Sequence, residues 1–273
     1  MAVKLIAVDM DGTFLKSDQD YNRERFRKIY SQIQRKKIRF VVASGNQYAQ
    51  LKSFFPEIAK EISFISENGA YCVHEGTELF SSEMAEHTVS QILNVLKKYE
   101  EVDVILCGKK SAYIDQTVSV EFENHAIKYY HLLKRIPDMY SNGPEVDGSI
   151  LKIALTCPPE KTSEILNGLQ VELKDSVSCV SSGHGDIDLI IPGIHKANAL
   201  GKLAEHLDIQ PEEVVAFGDG GNDLEMLAFA GYSYAMANGQ EKIKKTAKFK
   251  ARSNDEEGVL EVLENLILES RES

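Results

Sequence analysis

Short apolar runs and amphipathic segments alternate along the first part of the chain, and each apolar run ends at a polar turn. The run at residues 3–8 has the length and composition of a strand that is buried on both faces. Over residues 21–36 the apolar positions recur at helical spacing, with charged residues on the opposite face. The runs at 38–43 and 62–65 again have the strand pattern. This alternation predicts a βαβαβ unit, in which helices cover both faces of a parallel sheet.

The pattern changes in the middle of the chain and then returns. Between residues 83 and 190 the predicted strands are more amphipathic, and their connections contain several prolines. Farther on, a helix is predicted over 195–207 and a strand over 214–217. We therefore predict the α/β class, with a doubly wound parallel-sheet (Rossmann-like) core formed by residues 1–82 and 191–273. Residues 83–190 would be a second α/β domain inserted into that core.

Composition narrows the class of protein. The chain has 273 residues, with 31 basic against 42 acidic residues and a net charge of −11, which argues against nucleic acid or an anionic membrane as the main partner. The four cysteines contain no CxxC pair, so we expect reduced thiols and no zinc site. No apolar stretch is long enough to span a membrane, and the N-terminal run is too short for a signal peptide. We expect a soluble cytoplasmic protein whose oligomeric state the sequence does not predict.

Two carboxylates follow the first predicted strand. Because side chains alternate along a strand, Asp9 and Asp11 point the same way from its carboxyl end. Like charges at this separation raise one carboxyl pKa unless a cation lies nearby. Such a pair gives the fold no stability, so it indicates chemistry.

Polar turns also follow the other predicted core strands. In open α/β sheets, ligands bind at the carboxyl ends of the strands. Each turn alone has an ordinary explanation, such as capping of the next helix. Together, at one edge of one sheet, they indicate a single site. The turns are Ser44-Gly45, Asn68-Gly69 and residues 218–223.

The acidic residues of this edge need cations. Asp9, Asp11, Asp219 and Asp223 cannot all be ionised in one cleft without positive charge nearby. A hard divalent ion such as Mg²⁺ prefers carboxylate oxygens, and Lys196 would supply a second positive charge suited to a phosphate.

The turn Ser44-Gly45 suits a phosphate group as well. A serine hydroxyl and the backbone N–H groups at the start of a helix can hold phosphate oxygens. A carboxylate nucleophile can form an acyl phosphate, and phosphoryl transfer otherwise needs mainly positioning and charge neutralisation.

Taken in order, these motifs resemble the four motifs of the haloacid dehalogenase superfamily, and they span nearly the whole chain. The inserted segment resembles the large α/β cap of the Cof-type subfamily, in which the turn at residues 67–70 also has a counterpart. The stretches at 40–47 and 188–199 look especially like a bacterial Cof-type sugar phosphatase. The residues that carry the four motifs are 9–13 (Asp-Met-Asp-Gly-Thr), Ser44-Gly45, Lys196 and 218–223 (Gly-Asp-Gly-Gly-Asn-Asp).

The resemblance implies a Mg²⁺-dependent phosphatase for small phosphorylated metabolites, above all sugar phosphates. Asp9 would attack phosphorus and become the aspartyl phosphate, while Asp11 would give a proton to the leaving alkoxide and later take one from water. Mg²⁺ would be held by Asp9, the backbone carbonyl of Asp11 and Asp219, with Asp223 as a further ligand or an outer partner. The residues expected to bind the phosphoryl group or the substrate are Met10, Ser44, Gly45, Asn46, Lys196 and Asn222.

One position departs from the family pattern. Many relatives have an arginine where this chain has Asn46. Its amide could read a sugar hydroxyl, or the residue could simply begin the next helix, and the sequence favours neither. The polar turn at residues 183–186 could also touch the substrate, although we favour a plain turn there.

Other functions use similar residues. A phosphotransferase or mutase of the same superfamily would pass the phosphoryl group to a sugar hydroxyl instead of water. A phospho-acceptor signalling module also combines an acidic pocket, an acceptor aspartate and a lysine, but such modules are much shorter and need no inserted domain. A catalytically silent binding protein is disfavoured because every motif position is intact.

Overall fold

The computed structural model describes residues 3–140, 146, 148–183 and 185–269. None of the helices in this part of the chain is long and apolar enough to cross a membrane. The strands are β1 (Leu5–Val8), β2 (Arg39–Ala43), β3 (Ser63–Ser66), β4 (Tyr71–His74), β5 (Thr77–Ser81), β6 (Asp103–Gly108), β7 (Ala112–Asp115), β8 (Leu133–Ile136), β9 (Ile150–Thr156), β10 (Ser178–Gly183), β11 (Asp186–Ile190), β12 (Val214–Gly218), β13 (Tyr232–Met236) and β14 (Phe249–Ala251). The α-helices are α1 (Arg23–Arg35), α2 (Tyr48–Phe54), α3 (Glu86–Leu96), α4 (Val120–Ala126), α5 (Thr162–Leu173), α6 (Lys196–His206), α7 (Leu224–Phe229), α8 (Glu241–Thr246) and α9 (Gly258–Glu269).

Among the described residues, eight strands form a large sheet in the order β14-β13-β12-β1-β2-β3-β4-β5. Neighbouring strands are parallel from β14 to β3, which confirms the predicted doubly wound core. Strands β4 and β5 add an antiparallel edge that the alternating pattern did not predict. Because β1 lies between β12 and β2, the connections from the central strands diverge, and a crevice opens at their carboxyl ends.

Strand β1 is buried on both faces, which explains its unbroken apolar sequence. Ile6 and Val8 pack in one cluster with residues of α1 and α9, and Leu5 and Ala7 pack in another with residues of α6 and α7. Two layers of helices therefore hold the strand that directly precedes Asp9.

Helix α1 has the apolar face that its sequence predicts. Asn22 caps its first turn, since its side chain accepts a hydrogen bond from the Arg25 N–H at 3.1 Å. The buried positions of the helix are Phe26, Ile29, Tyr30 and Ile33.

A small sheet follows in the middle of the described chain, with the strand order β10-β11-β9-β6-β7-β8. Its neighbours are antiparallel except for β7 and β8. Helices α3 and α5 contribute to the hydrophobic cluster on one face, and α4 contributes to the cluster on the other. This division of the strands supports the proposed domain limits, 1–82 with 191–273 and 83–190, which stay a prediction.

The turn after β3 is held in an unusual backbone conformation. Glu67, Asn68 and Gly69 have φ angles of 50°, 55° and 102° in succession. A Cβ atom built on Gly69 would lie 2.5 Å from the carbonyl oxygen of His195, the residue that caps α6. Only glycine, which has no Cβ atom, allows the turn to lie this close to the backbone of His195. The turn is therefore packed tightly against the start of α6.

Replacing Gly69 tests this contact. Gly193 is a matched control because it also has a positive φ, 74°, but a Cβ atom there would meet nothing within 4 Å. We expect Gly193→Ala to lower the free energy of unfolding by about 1–2 kcal/mol and Gly69→Ala to lower it by at least about 1 kcal/mol more, because overpacking is added to the backbone strain. Denaturant unfolding of the two variants measures the difference, and equal losses would show that the contact with His195 is unimportant.

Candidate active site

The loop after β1 carries Asp9 and Asp11 to the carboxyl edge of the large sheet. The N–H of Asp9 still donates to the Phe217 carbonyl of β12, after which the chain turns tightly. Gly12 lies against Asp219, since a Cβ atom there would be 2.6 Å from the Asp219 Oδ2. The side chain of Met10 is fully buried in the hydrophobic core, so only its backbone can serve the predicted role in binding.

Lys196 lies between two carboxylates at the start of α6. Its Nζ donates to the Asp9 Oδ1 at 2.5 Å and to the Asp223 Oδ1 at 2.7 Å, and its side chain is 0% exposed. Burial alone would lower the pKa of Lys196, but the charges of Asp223 and Asp9 outweigh burial and raise it above its ordinary value. The lysine is therefore charged at neutral pH.

Asp9, Asp219 and Asp223 form an acidic group whose candidate ligand atoms all lie within 4.8 Å of one another. Burial and the charge of Asp223 raise the pKa of Asp9 well above its ordinary value, and Lys196 acts in the opposite direction. Burial and Asp223 likewise raise the pKa of Asp219 to about 6. Three carboxylates surround one lysine, so the acidic charge of the group is not balanced, and oxygen donors of this kind fit a hard divalent cation. The side chain of Asp11 lies outside this group.

Hydrogen bonds from neighbouring groups hold both Asp219 and Asp223 in place. The Thr13 hydroxyl donates to the Asp219 Oδ1 at 2.8 Å. The Asp223 Oδ2 accepts hydrogen bonds from the N–H groups of Asp219 and Gly220, each at 3.0 Å. With the bond from Lys196, both oxygens of Asp223 accept hydrogen bonds from neighbouring residues.

Asn46 is directed at Asp11. Its Nδ2 donates to the Asp11 Oδ2 at 2.7 Å, and its backbone N–H donates to the Ser44 Oγ at 3.1 Å. The Asp11 Oδ1 is buried and makes no hydrogen bond within the described residues. Asn46 therefore fixes the orientation of Asp11. Neither of the two roles predicted for Asn46 includes this contact.

Asn222 lies in a 3-10 turn before α7, where its Nδ2 donates to the Asn68 Oδ1 at 3.2 Å. The structure thus brings the turns after β1, β2, β3 and β12 to one edge of the large sheet. Thr13 and Asn68, which belong to a predicted motif and a predicted turn, lie there as expected but had no individual role assigned. Two residues of the small sheet, Lys152 and Asp188, also lie there, and for them we predicted no role from the sequence. A lysine within the mostly apolar strand β9 is a sequence signal by which the role of Lys152 could be found. Of the polar turn at 183–186, His184 lies outside the described residues.

Comparison with known proteins gives three findings. A model of the family described as haloacid dehalogenase-like hydrolase matches residues 6–263. The chain is 45% identical over 267 residues to a protein of Escherichia coli (strain K12) named 5-amino-6-(5-phospho-D-ribitylamino)uracil phosphatase YbjI, covering 98% of this chain and 97% of the relative. It is 36% identical to SMU.1108c from Streptococcus mutans UA159, with a TM-score of 0.91 over 98% of this chain and 100% of that one.

A more distant structure extends the likeness of fold. The sugar phosphatase BT4131, of HAD subclass IIB, has a TM-score of 0.79 and covers 96% of this chain and 98% of its own. At 19% identity this match shows a shared fold alone.

The buried lysine makes a stability prediction. Lys196→Met would leave two buried carboxylates without their cation, so we expect the free energy of unfolding at neutral pH to fall by about 3–5 kcal/mol. Lys28→Met removes an exposed lysine paired with Glu24 and should change it by about 0.5 kcal/mol or less. Denaturant unfolding of both variants checks this, and a Lys196→Met protein as stable as the Lys28→Met control would contradict it.

Proposed function

The chain belongs to the haloacid dehalogenase-like hydrolase family, and we propose that it is a Mg²⁺-dependent phosphatase of small phosphorylated metabolites. The predicted class, a phosphoric monoester hydrolase, agrees with this family and with the name of the Escherichia coli relative. The observation that carries the proposal is the pairing of a lysine-bound carboxylate, Asp9, with a second carboxylate, Asp11, that an amide holds in place.

In the proposed reaction Asp9 is the nucleophile. One of its carboxylate oxygens attacks phosphorus, the bond from phosphorus to the ester oxygen breaks, and an aspartyl phosphate forms. Because the Asp9 Oδ1 accepts the hydrogen bond of Lys196, Oδ2 is the oxygen left for attack.

Asp11 moves the protons. It gives a proton to the departing alkoxide, which leaves as the alcohol, and then takes a proton from the water that attacks the aspartyl phosphate. Release of inorganic phosphate restores Asp9. The hydrogen bond from Asn46 holds the Asp11 Oδ2, which leaves the buried Oδ1 as the oxygen that exchanges the proton.

The donor set fits Mg²⁺. We assign Asp9, Asp219 and the backbone carbonyl of Asp11 as ligands, and Asp223 as the partner that holds Lys196 and the loop at Asp219. When bound, the ion neutralises the negative charge of the phosphoryl oxygens.

The phosphoryl group would be held by residues from three elements. The Ser44 hydroxyl accepts from the Asn46 N–H, so its own proton can be donated to a phosphoryl oxygen. Lys196 contributes charge, and the Asn222 amide has a second N–H to donate. The backbone N–H groups of Met10 and Gly45 complete the proposed set.

Residues 83–190 would act as a cap that excludes water and selects the substrate. Contacts between the two parts of the chain support this role, because the Leu132 N–H donates to the Gln47 Oε1 at 3.0 Å beside the Ser44-Gly45 turn. Farther along, Lys152 of the small sheet reaches the carbonyl of Gly45.

For the substrate we propose a phosphorylated sugar or sugar alcohol. The name of the Escherichia coli relative specifies a phosphate on a ribityl chain, which is an open-chain pentitol. Ribityl phosphates therefore belong beside hexose and pentose phosphates among the first substrates to test.

The proposed compartment is the cytoplasm. The four cysteines are free thiols, and three of them are buried, which suits a reducing environment.

The alternatives differ from the proposal in the acceptor of the phosphoryl group. A phosphotransferase or mutase would yield a phosphorylated sugar without free phosphate, and no described contact favours a second sugar over water. The family match over residues 6–263 argues against a phospho-acceptor signalling module.

The function is tested by phosphate release from hexose, pentose and ribityl phosphates, with and without Mg²⁺. We expect release only with Mg²⁺, and we expect Asp9→Asn to lower kcat by at least about a thousandfold because the nucleophile is lost. Thermal unfolding of Asp9→Asn serves as the folding control. Full activity in that variant would overturn the mechanism, and transfer to a second sugar without free phosphate would favour the phosphotransferase.

The role of Asn46 predicts a dependence on the leaving group. For Asn46→Ala we expect kcat/KM to fall about 10- to 100-fold with sugar phosphates and with ethyl phosphate, because Asp11 is no longer held for proton transfer. With p-nitrophenyl phosphate, whose leaving group needs no proton, the loss should be only a few-fold.

The neighbouring amide provides the control. Gln47→Ala removes a side chain that contacts Leu132 and not Asp11, so its effect should not depend on the leaving group. If ethyl phosphate hydrolysis survives in Asn46→Ala while sugar phosphate hydrolysis is lost, Asn46 reads a sugar hydroxyl instead.

A further inference from the structure

Two side chains of the small sheet reach turns of the large sheet: Lys152 contacts the Ser44-Gly45 turn, which we assign to phosphate binding, and Asp188 contacts Asn68. Lys152 lies on β9 and Asp188 on the adjacent antiparallel strand β11. The Lys152 Nζ donates to the Asp188 Oδ1 at 3.0 Å and to the backbone carbonyl of Gly45 at 2.7 Å. The lysine side chain is only 3% exposed, so these oxygens replace its water.

Lys152 stays charged in this position. Burial alone would lower its pKa, but the charges of Asp188 and Glu67 raise it above its ordinary value. Of the two carboxyl groups, Asp188 is the stronger partner. The Glu67 Oε2 lies 3.5 Å from Nζ and makes no hydrogen bond within the described chain, and burial raises the pKa of Glu67 to about 7.

The bond to Gly45 fixes one phosphate-binding turn. A peptide group is planar and trans, so its C=O and N–H point in opposite directions. With the Gly45 carbonyl held by Lys152, the N–H of Asn46 in the same peptide points away from it, and it donates to the Ser44 Oγ. The lysine thereby sets the direction in which the Ser44 hydroxyl can donate.

Asp188 connects Lys152 to the turn that contains Asn222. The Asp188 Oδ2 accepts from the Asn68 Nδ2 at 2.6 Å, and the Asn68 Oδ1 accepts from the Asn222 Nδ2 at 3.2 Å. Asn68 is held by the backbone as well, since its N–H donates to the Ser44 carbonyl at 3.1 Å. A continuous series of hydrogen bonds therefore joins Ser44 to Asn222 through the ion pair of the small sheet.

We propose that Lys152 and Asp188 are positioning residues that hold the Ser44-Gly45 turn and Asn222 at the spacing that a phosphoryl group requires. This proposal rests on the proposed function of the site. The pair would affect the binding of the phosphate group, which all substrates share, and not the binding of the alcohol part, which differs among them.

The test compares inorganic phosphate with esters of different alcohols. In Lys152→Met we expect the inhibition constant of inorganic phosphate, its dissociation constant measured directly by calorimetry, and the KM of every ester to rise by a common factor of about ten or more. Asp188→Asn, which keeps the side-chain volume, should give a smaller shift in the same direction. Lys161→Met is the matched control, because it removes a lysine of the same part of the chain whose partner, Glu101, is at the surface.

The results of these measurements distinguish a positioning role for Lys152 and Asp188 from direct contact with the alcohol part of the substrate. A KM that rises for some esters only, with phosphate binding unchanged, would show that Lys152 contacts the alcohol part of the substrate and would overturn the proposal. If Lys152→Met does not fold, unchanged phosphate binding in Asp188→Asn would overturn it. Weaker phosphate binding in the variants of a protein that hydrolyses no ester would support the positioning role and refute the proposed hydrolysis. A protein that binds no phosphate at all would refute both.

Discussion

The rest of the site depends on the hydrogen bonds that the fully buried Lys196 donates to two carboxylates. A lysine removed from water is stable only when acceptors of opposite charge replace the lost solvent, and here Asp9 and Asp223 do so. Asp9 follows β1, Asp223 lies in the 3-10 turn before α7, and Lys196 begins α6, so these hydrogen bonds fix three parts of the fold relative to one another. The same bond occupies the Asp9 Oδ1, so in the proposed reaction the Asp9 Oδ2 is the oxygen left to attack phosphorus.

The turn at residues 67–69 gives this arrangement its second fixed point. Its left-handed backbone costs free energy, and such conformations persist only where the surroundings impose them. Here Gly69 abuts the residue before Lys196, and Asn68 bonds to the backbone of Ser44 and to Asn222. The strained turn at residues 67–69 thus connects the start of α6 at Lys196 with Ser44 and with Asn222. These connections explain why an unfavourable backbone conformation is kept there.

The sequence predicts the parallel core and the gathering of Asp9, Lys196, Asp219 and Asp223, because residues at the carboxyl ends of parallel strands share one edge. It does not predict where a side chain points within a tight turn. For that reason the sequence does not distinguish a backbone role of Met10 from a side-chain role, and it does not predict the bond from Asn46 to Asp11. A lysine in β9 indicates a buried charge, but its contact with the turn at Gly45 depends on tertiary packing that no local pattern encodes.

The two buried lysines place positive charge beside the proposed anion site of an acidic chain, where Asp9, Asp219 and Asp223 still outnumber Lys196 and leave a role for a cation. The net charge of −11 comes largely from surface groups, and water and salt screen such charges beyond a Debye length of about 8 Å. Lys196 lies within the site and Lys152 directly behind it, and both are almost completely shielded from solvent. Their fields act at short range and low dielectric, where one charge outweighs many distant ones. The local sign of the potential at the site is therefore set by a few buried groups and not by the composition of the chain.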